Sequence, residues 1–226
     1  MTPTIVLDVN ETLLDLAPVR DWFDQRFDGH PDAGTWFSEL LRLSFVSSVT
    51  DRYVPFTDLA ASALQTVALR SGATIDLGDV TDVKELFVHL PPHPDVIGGL
   101  ERLSASGFTL AALTNSPLTT AHIQLDNAEI SQLFTSIMSV EMVNRFKPHR
   151  SVYDAAALHM ETSTSEMVMV AAHDWDIAGA MTAGLDGVFI ERPGQLYSSA
   201  FPRPTLSAVD LDAAAEAIID KYRQDR

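Results

Sequence analysis

Two carboxylates lie close together in the N-terminal segment TIVLDVNET, at the point where an apolar run stops. The run ends at Asp8, and Glu11 follows in a turn that also holds Asn10 and Thr12. A carboxylate that is desolvated and aimed by its neighbours can act as a nucleophile, and a second one can help to activate water. The segment therefore predicts a catalytic turn at the tip of a buried strand.

Polar side chains follow three later apolar runs in the same way. The second run is followed by TNSP, the third by RFKPHR and the fourth by AHDWD. In an open α/β sheet the carboxyl ends of the strands meet at one edge, where ligands bind. We therefore expect one site built from four strand ends. Beyond the first turn its candidates are Thr114, Asn115, Lys147, His173, Trp175 and Asp176.

The apolar runs predict the elements that position this site. They lack polar alternation, which is typical of parallel strands covered on both faces. The predicted strands are Ile5–Leu7, Phe108–Leu113, Phe134–Val140, Met167–Ala171 and Gly187–Ile190. Helical spacing precedes the second, fourth and fifth of these runs and fills Asp210–Arg223 at the C-terminal end. Alternating strands and helices indicate an α/β fold with a doubly wound parallel sheet.

Residues 17–90 break this alternation. The segments TWFSELLRLSFVSSVTDRY and FTDLAASALQTVALRSG have helical spacing, and we see no strand-like run between them. PPHP at Pro91–Pro94 then marks a return to the α/β pattern. We therefore predict an α/β core domain formed by residues 1–16 and 91–226, with an inserted helical cap domain formed by residues 17–90.

Composition limits the class of partner. The chain has 226 residues and a formal net charge of −16, which disfavours nucleic acids and anionic membranes. It contains no cysteine, so a disulfide, a zinc–thiolate site and a cysteine nucleophile are excluded. We find no apolar run near the roughly 18 residues of a membrane span and no signal-peptide pattern. These features predict a soluble cytoplasmic protein and do not exclude a small anionic substrate.

The four strand-end motifs and the helical insertion resemble the haloacid dehalogenase superfamily, and within it the L-2-haloacid dehalogenases, in order and approximate spacing. The resemblance covers almost the whole chain. It implies a Rossmann-like core under a helical cap and hydrolysis of short L-2-haloacids to 2-hydroxyacids. It also implies that no cofactor and no metal are needed, and that the protein is a homodimer.

The resemblance implies roles for individual residues. Asp8 matches the nucleophile that displaces halide and forms an ester, and Lys147 matches the lysine that keeps it ionised. Asp176 matches the aspartate of the fourth motif, which would orient the lysine or assist. Positions that match contacts to the nucleophile, to the substrate carboxylate or to the pocket are Thr12, Thr114, Asn115, Trp175 and Phe56.

Two departures separate the chain from the phosphatases of the superfamily. Those enzymes carry a second aspartate two residues after the nucleophile, which protonates the leaving group. Here that position is Asn10, which cannot do so and which we place in the substrate-binding set. Their magnesium-binding aspartate of the fourth motif is replaced by Ala172. A magnesium site is still conceivable if Asp174 takes the place of the missing aspartate as a ligand.

Two further departures separate it from the best-known dehalogenases and suggest a catalytic pair. Their glycine after the nucleophile is Glu11 here, and their asparagine of the fourth motif is His173. A carboxylate that orients an imidazole makes a general base. The chain resembles a branch of the dehalogenases that uses such a His/Glu dyad, which implies that His173 and Glu11 activate the water that hydrolyses the Asp8 ester.

One position weakens the dehalogenase interpretation. The family carries a cap arginine that helps to abstract halide, and ungapped counting places Phe37 there. Phe37 could form part of an apolar halide cradle, or Arg42 could substitute from one helical turn further on. Two alternatives therefore stay open: a magnesium-dependent phosphatase of the same superfamily, and a non-catalytic protein that binds a small carboxylate or a partner.

Overall fold

A parallel β-sheet forms the centre of the protein, whose computed structural model describes residues 2–223. Its strands are β1 (Thr4–Leu7), β2 (Leu110–Thr114), β3 (Ser136–Ser139), β4 (Met167–Ala171), β5 (Asp186–Ile190) and β6 (Leu206–Ala208). They lie in the order β3-β2-β1-β4-β5-β6, and all neighbouring pairs are parallel. Every residue of β2 and β4 is buried, which explains their uninterrupted apolar sequences.

The strand order reverses between β1 and β4. From β1 the chain builds outward through β2 and β3, then returns to pair β4 with the other side of β1. This is the arrangement of a doubly wound sheet, in which ligands bind beyond the carboxyl ends of the strands at the reversal. The predicted α/β fold is therefore confirmed.

Helices cover the sheet and fill the connection that follows β1. Those outside that connection are α5 (Val96–Ala105), α6 (Leu118–Asn127), α7 (Arg150–His159), α8 (Asp174–Ala183) and α9 (Leu211–Arg223). Helix α5 packs against α9, and α7 packs against α8. At Gly99 a Cβ atom would lie within 3.0 Å of the Leu211 backbone, so a side chain there would separate α5 from α9.

The connection from β1 to α5 contains four helices and no strand among the described residues. They are α1 (Ala17–Phe27), α2 (Ala33–Val49), α3 (Phe56–Arg70) and α4 (Leu77–Val88). The chain enters and leaves this segment side by side, because Asp15 N donates to Pro91 O and His93 N donates to Leu13 O. This geometry supports a division at residues 17–90, although the assignment of two domains stays a prediction.

Several predicted boundaries need correction. Only Ser136–Ser139 of the predicted third strand is extended, because Val140 begins a 3-10 turn in which the Ser139 side chain accepts a hydrogen bond from Glu141 N. Helix α6 was not predicted, and its buried face includes the polar Gln124, which weakens the apolar spacing. Strand β6 was also missed, because it is three residues long and only partly buried.

Within residues 2–223, none of the helices α1–α9 is long and apolar enough to cross a bilayer.

Candidate active site

The predicted catalytic residues meet where the strand order reverses. Asp8 directly follows β1, and His173 follows β4 after one intervening residue. Because Leu7 pairs with Val170 in the register of these strands, both side chains leave the same edge of the sheet. His173 is also the residue before α8, so its position is fixed by a strand on one side and a helix on the other.

The turn after β1 holds the Asp8 carboxylate by short contacts. Thr12 Oγ1 donates to Asp8 Oδ2 at 2.7 Å and accepts a hydrogen bond from Ala172 N at 3.0 Å, which ties the turn to the end of β4. Glu11 has a φ of 61°, in the left-handed region that favours glycine. This conformation explains why a glycine suits the position in related turns, whereas here the position carries a carboxylate side chain.

Lys147 joins two buried carboxylates. Its Nζ atom donates to Asp8 Oδ1 at 2.8 Å, to Asp176 Oδ2 at 2.7 Å and to Leu113 O at 2.8 Å, so all three ammonium protons have acceptors. The side chains of Lys147 and Asp176 are both fully inaccessible to solvent. The ammonium therefore connects the ends of β1 and β2 with α8.

Burial and neighbouring opposite charges shift the pKa values of these groups in opposite directions. Burial alone would raise the pKa of Asp8, but Lys147 and His173 outweigh it and hold that pKa well below its usual range. Burial raises the pKa of Asp176, and Lys147 offsets only part of this effect. Burial would lower the pKa of Lys147, but Asp176 and Asp8 raise it. Asp8 is thus the better-stabilised anion of the pair.

His173 lies between the two carboxylates of the first turn. Its Nδ1 atom is 3.2 Å from Asp8 Oδ2, and its Nε2 atom is 2.9 Å from Glu11 Oε2. Phe37 and Trp175 stack on the ring with centroid separations of 6.0 and 5.0 Å. Burial would lower the pKa of His173, but hydrogen bonds to Asp8 and Glu11 raise it to about 10.

A cavity of about 330 Å³ opens beside this cluster. Its walls include Glu11, His173, Phe37, Trp175 and Arg20. Arg20 is half exposed and also pairs with Asp15 at 2.7 Å. A second cavity of about 230 Å³, which shares Glu11 and Arg20, continues toward His93 and Arg192. The space suits a small polar ligand with an apolar end.

Some predicted site residues support the turn instead of lining this cavity. The Asn10 amide donates to Ser116 Oγ and accepts from Gln124 Nε2, so both of its ends are occupied. Asn115 Oδ1 accepts from Lys147 N, and Thr114 Oγ1 accepts from Ser116 N. These contacts explain the presence of the three residues without a role in substrate binding.

Two cap residues lie elsewhere. Phe56 packs against Phe87 and Phe146 and borders a different cavity, which contains neither Glu11 nor His173. Its predicted place in the substrate pocket has no support in these contacts. Arg42 donates twice to Glu39, at 2.7 and 2.8 Å, and does not line the cavity beside His173. A halide-binding role for Arg42 therefore has no geometric support.

Sequence reasoning missed several residues that hold the site in place. Tyr153 donates to Asp176 Oδ1 at 2.7 Å from α7. Arg192 donates through Nε and Nη2 to Thr12 O and through Nη1 to Asp95 Oδ1. His93 Nε2 lies 3.1 Å from Glu11 O. Arg192 could have been found, because it follows β5 as the other polar candidates follow their strands.

The donor set does not fit a magnesium ion. Magnesium needs free oxygen ligands in octahedral arrangement. Lys147 instead bridges Asp8 and Asp176, and an ion between these carboxylates would have to displace its ammonium. Among residues 2–223, no cluster of three or more His, Asp or Glu side chains is arranged to hold a metal. The buried carboxylates of this site are thus compensated by the Lys147 ammonium.

Comparison with known proteins decides the family. A family model described as haloacid dehalogenase-like hydrolase matches residues 55–190, which is more than half of the chain. The protein belongs to the haloacid dehalogenase-like hydrolases. The family inferred from the four strand-end motifs is thus confirmed.

Two relatives that match over nearly their full length are both named (S)-2-haloacid dehalogenases. The (S)-2-haloacid dehalogenase H-109 of Pseudomonas putida is 27% identical, over 96% of this chain and 97% of that protein. The (S)-2-haloacid dehalogenase 1 of Pseudomonas sp. strain CBS-3 is 29% identical, over 90% of this chain and 92% of that protein. These similarities span both the predicted core and the predicted cap.

A solved structure shows the same fold. The L-2-haloacid dehalogenase from Xanthobacter autotrophicus, with chloropropionic acid covalently bound, superposes with a TM-score of 0.88 at 20% identity. The match covers 96% of this chain and 98% of that one. The helical connection after β1 is therefore part of a shared architecture.

Proposed function

We propose that the protein is a hydrolytic dehalogenase that converts short L-2-haloacids to 2-hydroxyacids through an ester on Asp8. The observation that carries the proposal is the arrangement around that carboxylate. Lys147 and Thr12 hold it ionised and oriented, while His173, paired with Glu11, reaches the same carboxylate from the cavity side.

In the first step, Asp8 attacks the halogen-bearing carbon of the substrate. The new carbon–oxygen bond forms as the carbon–halogen bond breaks, and the halide leaves with the bonding electrons. The attacking carboxylate is only 5% exposed, so little water competes for its lone pairs. Displacement from the rear inverts the configuration at that carbon, and Lys147 and Thr12 fix the direction of attack.

In the second step, water hydrolyses the Asp8 ester. Nδ1 of His173 lies 3.2 Å from the Asp8 carboxyl group, close enough to take a proton from water attacking its carbonyl carbon. Glu11 accepts a hydrogen bond from Nε2 and stabilises the imidazolium that forms. The acyl–oxygen bond then breaks, which releases the 2-hydroxyacid and restores the carboxylate.

The cavity and the relatives together support the substrate class. A volume of about 330 Å³ admits a small acid, and Phe37 and Trp175 offer an apolar surface next to His173. Arg20 supplies positive charge on the same wall, in a protein that is otherwise strongly acidic. The names of the full-length relatives support 2-haloacids and the S enantiomer.

We assign Asn10, Thr114 and Asn115 to the frame of the site, since their polar atoms bond to Gln124, Ser116 and Lys147. Asn10 has no acidic proton to give to a leaving group, which a phosphatase of this superfamily would need. The reacting or charge-bearing residues are then Asp8, Glu11, Lys147, His173 and Asp176.

We further propose a cytoplasmic homodimer with separate core and cap domains. Exposed Val49 on α2 and Leu69 on α3 would be covered by a second copy. Light scattering of the purified protein measures its mass in solution, and a mass equal to the monomer's would contradict the dimer.

Halide release from the two enantiomers of 2-bromopropionate tests the proposed function. With chelator present, bromide should appear from the L enantiomer and not from the D enantiomer, and Asp8→Asn should abolish it. A parallel assay contains magnesium and an aryl phosphate. Phosphate release without bromide would overturn the proposal in favour of a phosphatase, and inactivity toward both would favour a binding role.

A further inference from the structure

Both ring nitrogens of His173 face carboxylate oxygens, Nδ1 toward Asp8 at 3.2 Å and Nε2 toward Glu11 at 2.9 Å. A neutral imidazole carries one N–H, so its other nitrogen would direct a lone pair at a negatively charged oxygen. A doubly protonated ring satisfies both contacts. The resting geometry therefore fits a cation better than it fits the neutral base that hydrolysis of an ester requires.

We propose that His173 is an imidazolium whenever Asp8 is a free carboxylate, and becomes a neutral base only after Asp8 has been esterified. This inference rests on the proposed function, because it concerns the ester intermediate. It goes further by assigning two charge states to one residue within a single catalytic cycle. Esterification of Asp8 is the event that changes one state into the other.

The charges around the ring favour this exchange. Asp8 and Glu11 approach from the turn after β1, and Lys147 bonds to the Asp8 oxygen that His173 does not contact. The ring faces are covered by uncharged aromatic side chains, Phe37 from α2 and Trp175 from α8. Asp174 and Arg20 lie on the wall of the adjoining cavity, and Asp176 lies behind Lys147.

Esterification of Asp8 changes the charge at one of the two contacts of the His173 ring. It converts the Asp8 anion into a neutral group, so His173 loses one of its two anionic partners while its burial persists. Two unit charges at about 4 Å interact by roughly 4 kcal/mol at an effective dielectric constant near 20, which corresponds to about a thousandfold change in proton affinity. The raised pKa of His173, about 10 in the free protein, should therefore fall.

The protons balance over the cycle. Asp8 displaces halide while His173 stays an imidazolium, and the ester forms. The imidazolium then gives its Nδ1 proton to solvent and becomes a neutral base. Water attacks the carbonyl carbon of the ester and His173 takes one of its protons. The second proton of that water goes to the oxygen of the departing 2-hydroxyacid as the acyl–oxygen bond breaks. The site returns to an imidazolium and a carboxylate, so the acid produced by the reaction is released before water attacks.

Nitrogen-15 NMR of histidine-labelled protein without substrate tests the inference. At about pH 8, where an unperturbed histidine has lost its second proton, both His173 nitrogens should show the shifts of N–H groups. In Asp8→Asn, a neutral mimic of the ester, His173 should lose a proton at lower pH, with a proton affinity reduced by roughly 10- to 1000-fold.

Three comparisons make the result decisive. His173→Gln assigns the resonance, and exposed His122 gives a reference signal that Asp8→Asn should not change. Thr12→Val removes a hydrogen bond from the same Asp8 oxygen without removing its charge, so His173 should stay protonated at about pH 8 in that variant. A neutral His173 at that pH in the unaltered protein, or the same titration in Asp8→Asn, would overturn the inference. Because no turnover is needed, failure of the halide assay is a separate outcome that concerns only the proposed function.

Discussion

Lys147 Nζ lies 2.8 Å from Asp8 Oδ1, although the two residues are 139 positions apart in the sequence. The contact joins the end of β1 to the loop that follows β3, and Asp176 completes it from α8 at 2.7 Å. One ammonium thus compensates two carboxylates that are shielded from water. Removal of this charge should affect both reactivity and folding.

Lys147→Met should lower kcat/KM for L-2-bromopropionate by roughly 100- to 1000-fold, because Asp8 loses the cation that keeps it ionised. It should also lower the free energy of unfolding by about 3–5 kcal/mol, since a buried carboxylate is left uncompensated. Steady-state bromide release and urea unfolding measure the two effects. Lys84→Met, at an exposed lysine of α4, is the matched control and should change neither quantity appreciably.

His173→Ala should slow hydrolysis of the ester more than its formation, by roughly 100- to 10,000-fold, because the water loses its base. The ester on Asp8 should therefore accumulate, and intact-protein mass spectrometry should detect the added acyl group after substrate is supplied. His122→Ala, at an exposed position, serves as the control. Normal turnover without an adduct in His173→Ala would remove the pair with Glu11 from the mechanism.

Tyr153→Phe should reduce kcat by roughly tenfold, because Asp176 loses a hydrogen bond of 2.7 Å and orients Lys147 less well. The pKa of Asp176, already raised by burial, should rise further, so the acidic limb of the pH–rate profile should move to higher pH. Kinetics over a pH series measure both changes.

Tyr53→Phe is the control for that substitution, because the buried Tyr53 hydroxyl makes no hydrogen bond within the described part of the chain. It should leave the profile in place and leave the free energy of unfolding unchanged or higher. An unshifted acidic limb in Tyr153→Phe would mean that Tyr153 has only a packing role.

Glu39, on α2, should make the free energy of unfolding depend on pH. Hydrogen bonds from Arg42 lower the pKa of this buried carboxyl from its reference value of 4.5 to about 2. Its contribution is therefore present above about pH 4.5 and is lost as the pH falls toward about 2. Both arginine partners are largely exposed, so we expect about 1–2 kcal/mol at neutral pH.

Urea unfolding of the original protein and Glu39→Gln checks this contribution. The variant should be less stable at neutral pH, and the difference should shrink in acid. Bromide release at neutral pH should stay within about twofold of the original value, since Glu39 lies outside the site. A stability difference that does not vary with pH would show that Glu39 acts through packing alone.

Strand ends made the convergence of the candidate catalytic residues predictable from sequence. A parallel sheet brings residues that follow its strands to one edge, and Asp8, Lys147, His173 and Asp176 all meet there. The pairing of Glu11 with His173 was also correctly anticipated, because the two departures from related motifs were complementary in chemistry.

Side chains whose position depends on packing were harder to predict. Phe56 carries no sequence signal that separates a pocket wall from the aromatic core it shares with Phe87 and Phe146. Tyr153 lies on a helix whose buried face would be apolar in either case, so nothing in its spacing reveals the bond to Asp176. Helix α6 was missed because its buried face includes Gln124, which bonds to Asn10 and Phe87 O.

A single turnover in oxygen-18 water tests the covalent mechanism most directly, with the protein in excess over L-2-bromopropionate. If Asp8 forms the ester and water attacks its carbonyl carbon, the label should enter the Asp8 carboxylate, and the first 2-hydroxyacid released should be unlabelled. Mass spectrometry of the peptide that contains Asp8, and of the product, measures both. Label in the product hydroxyl with none in Asp8 would mean that water attacks the substrate directly, which would contradict the account.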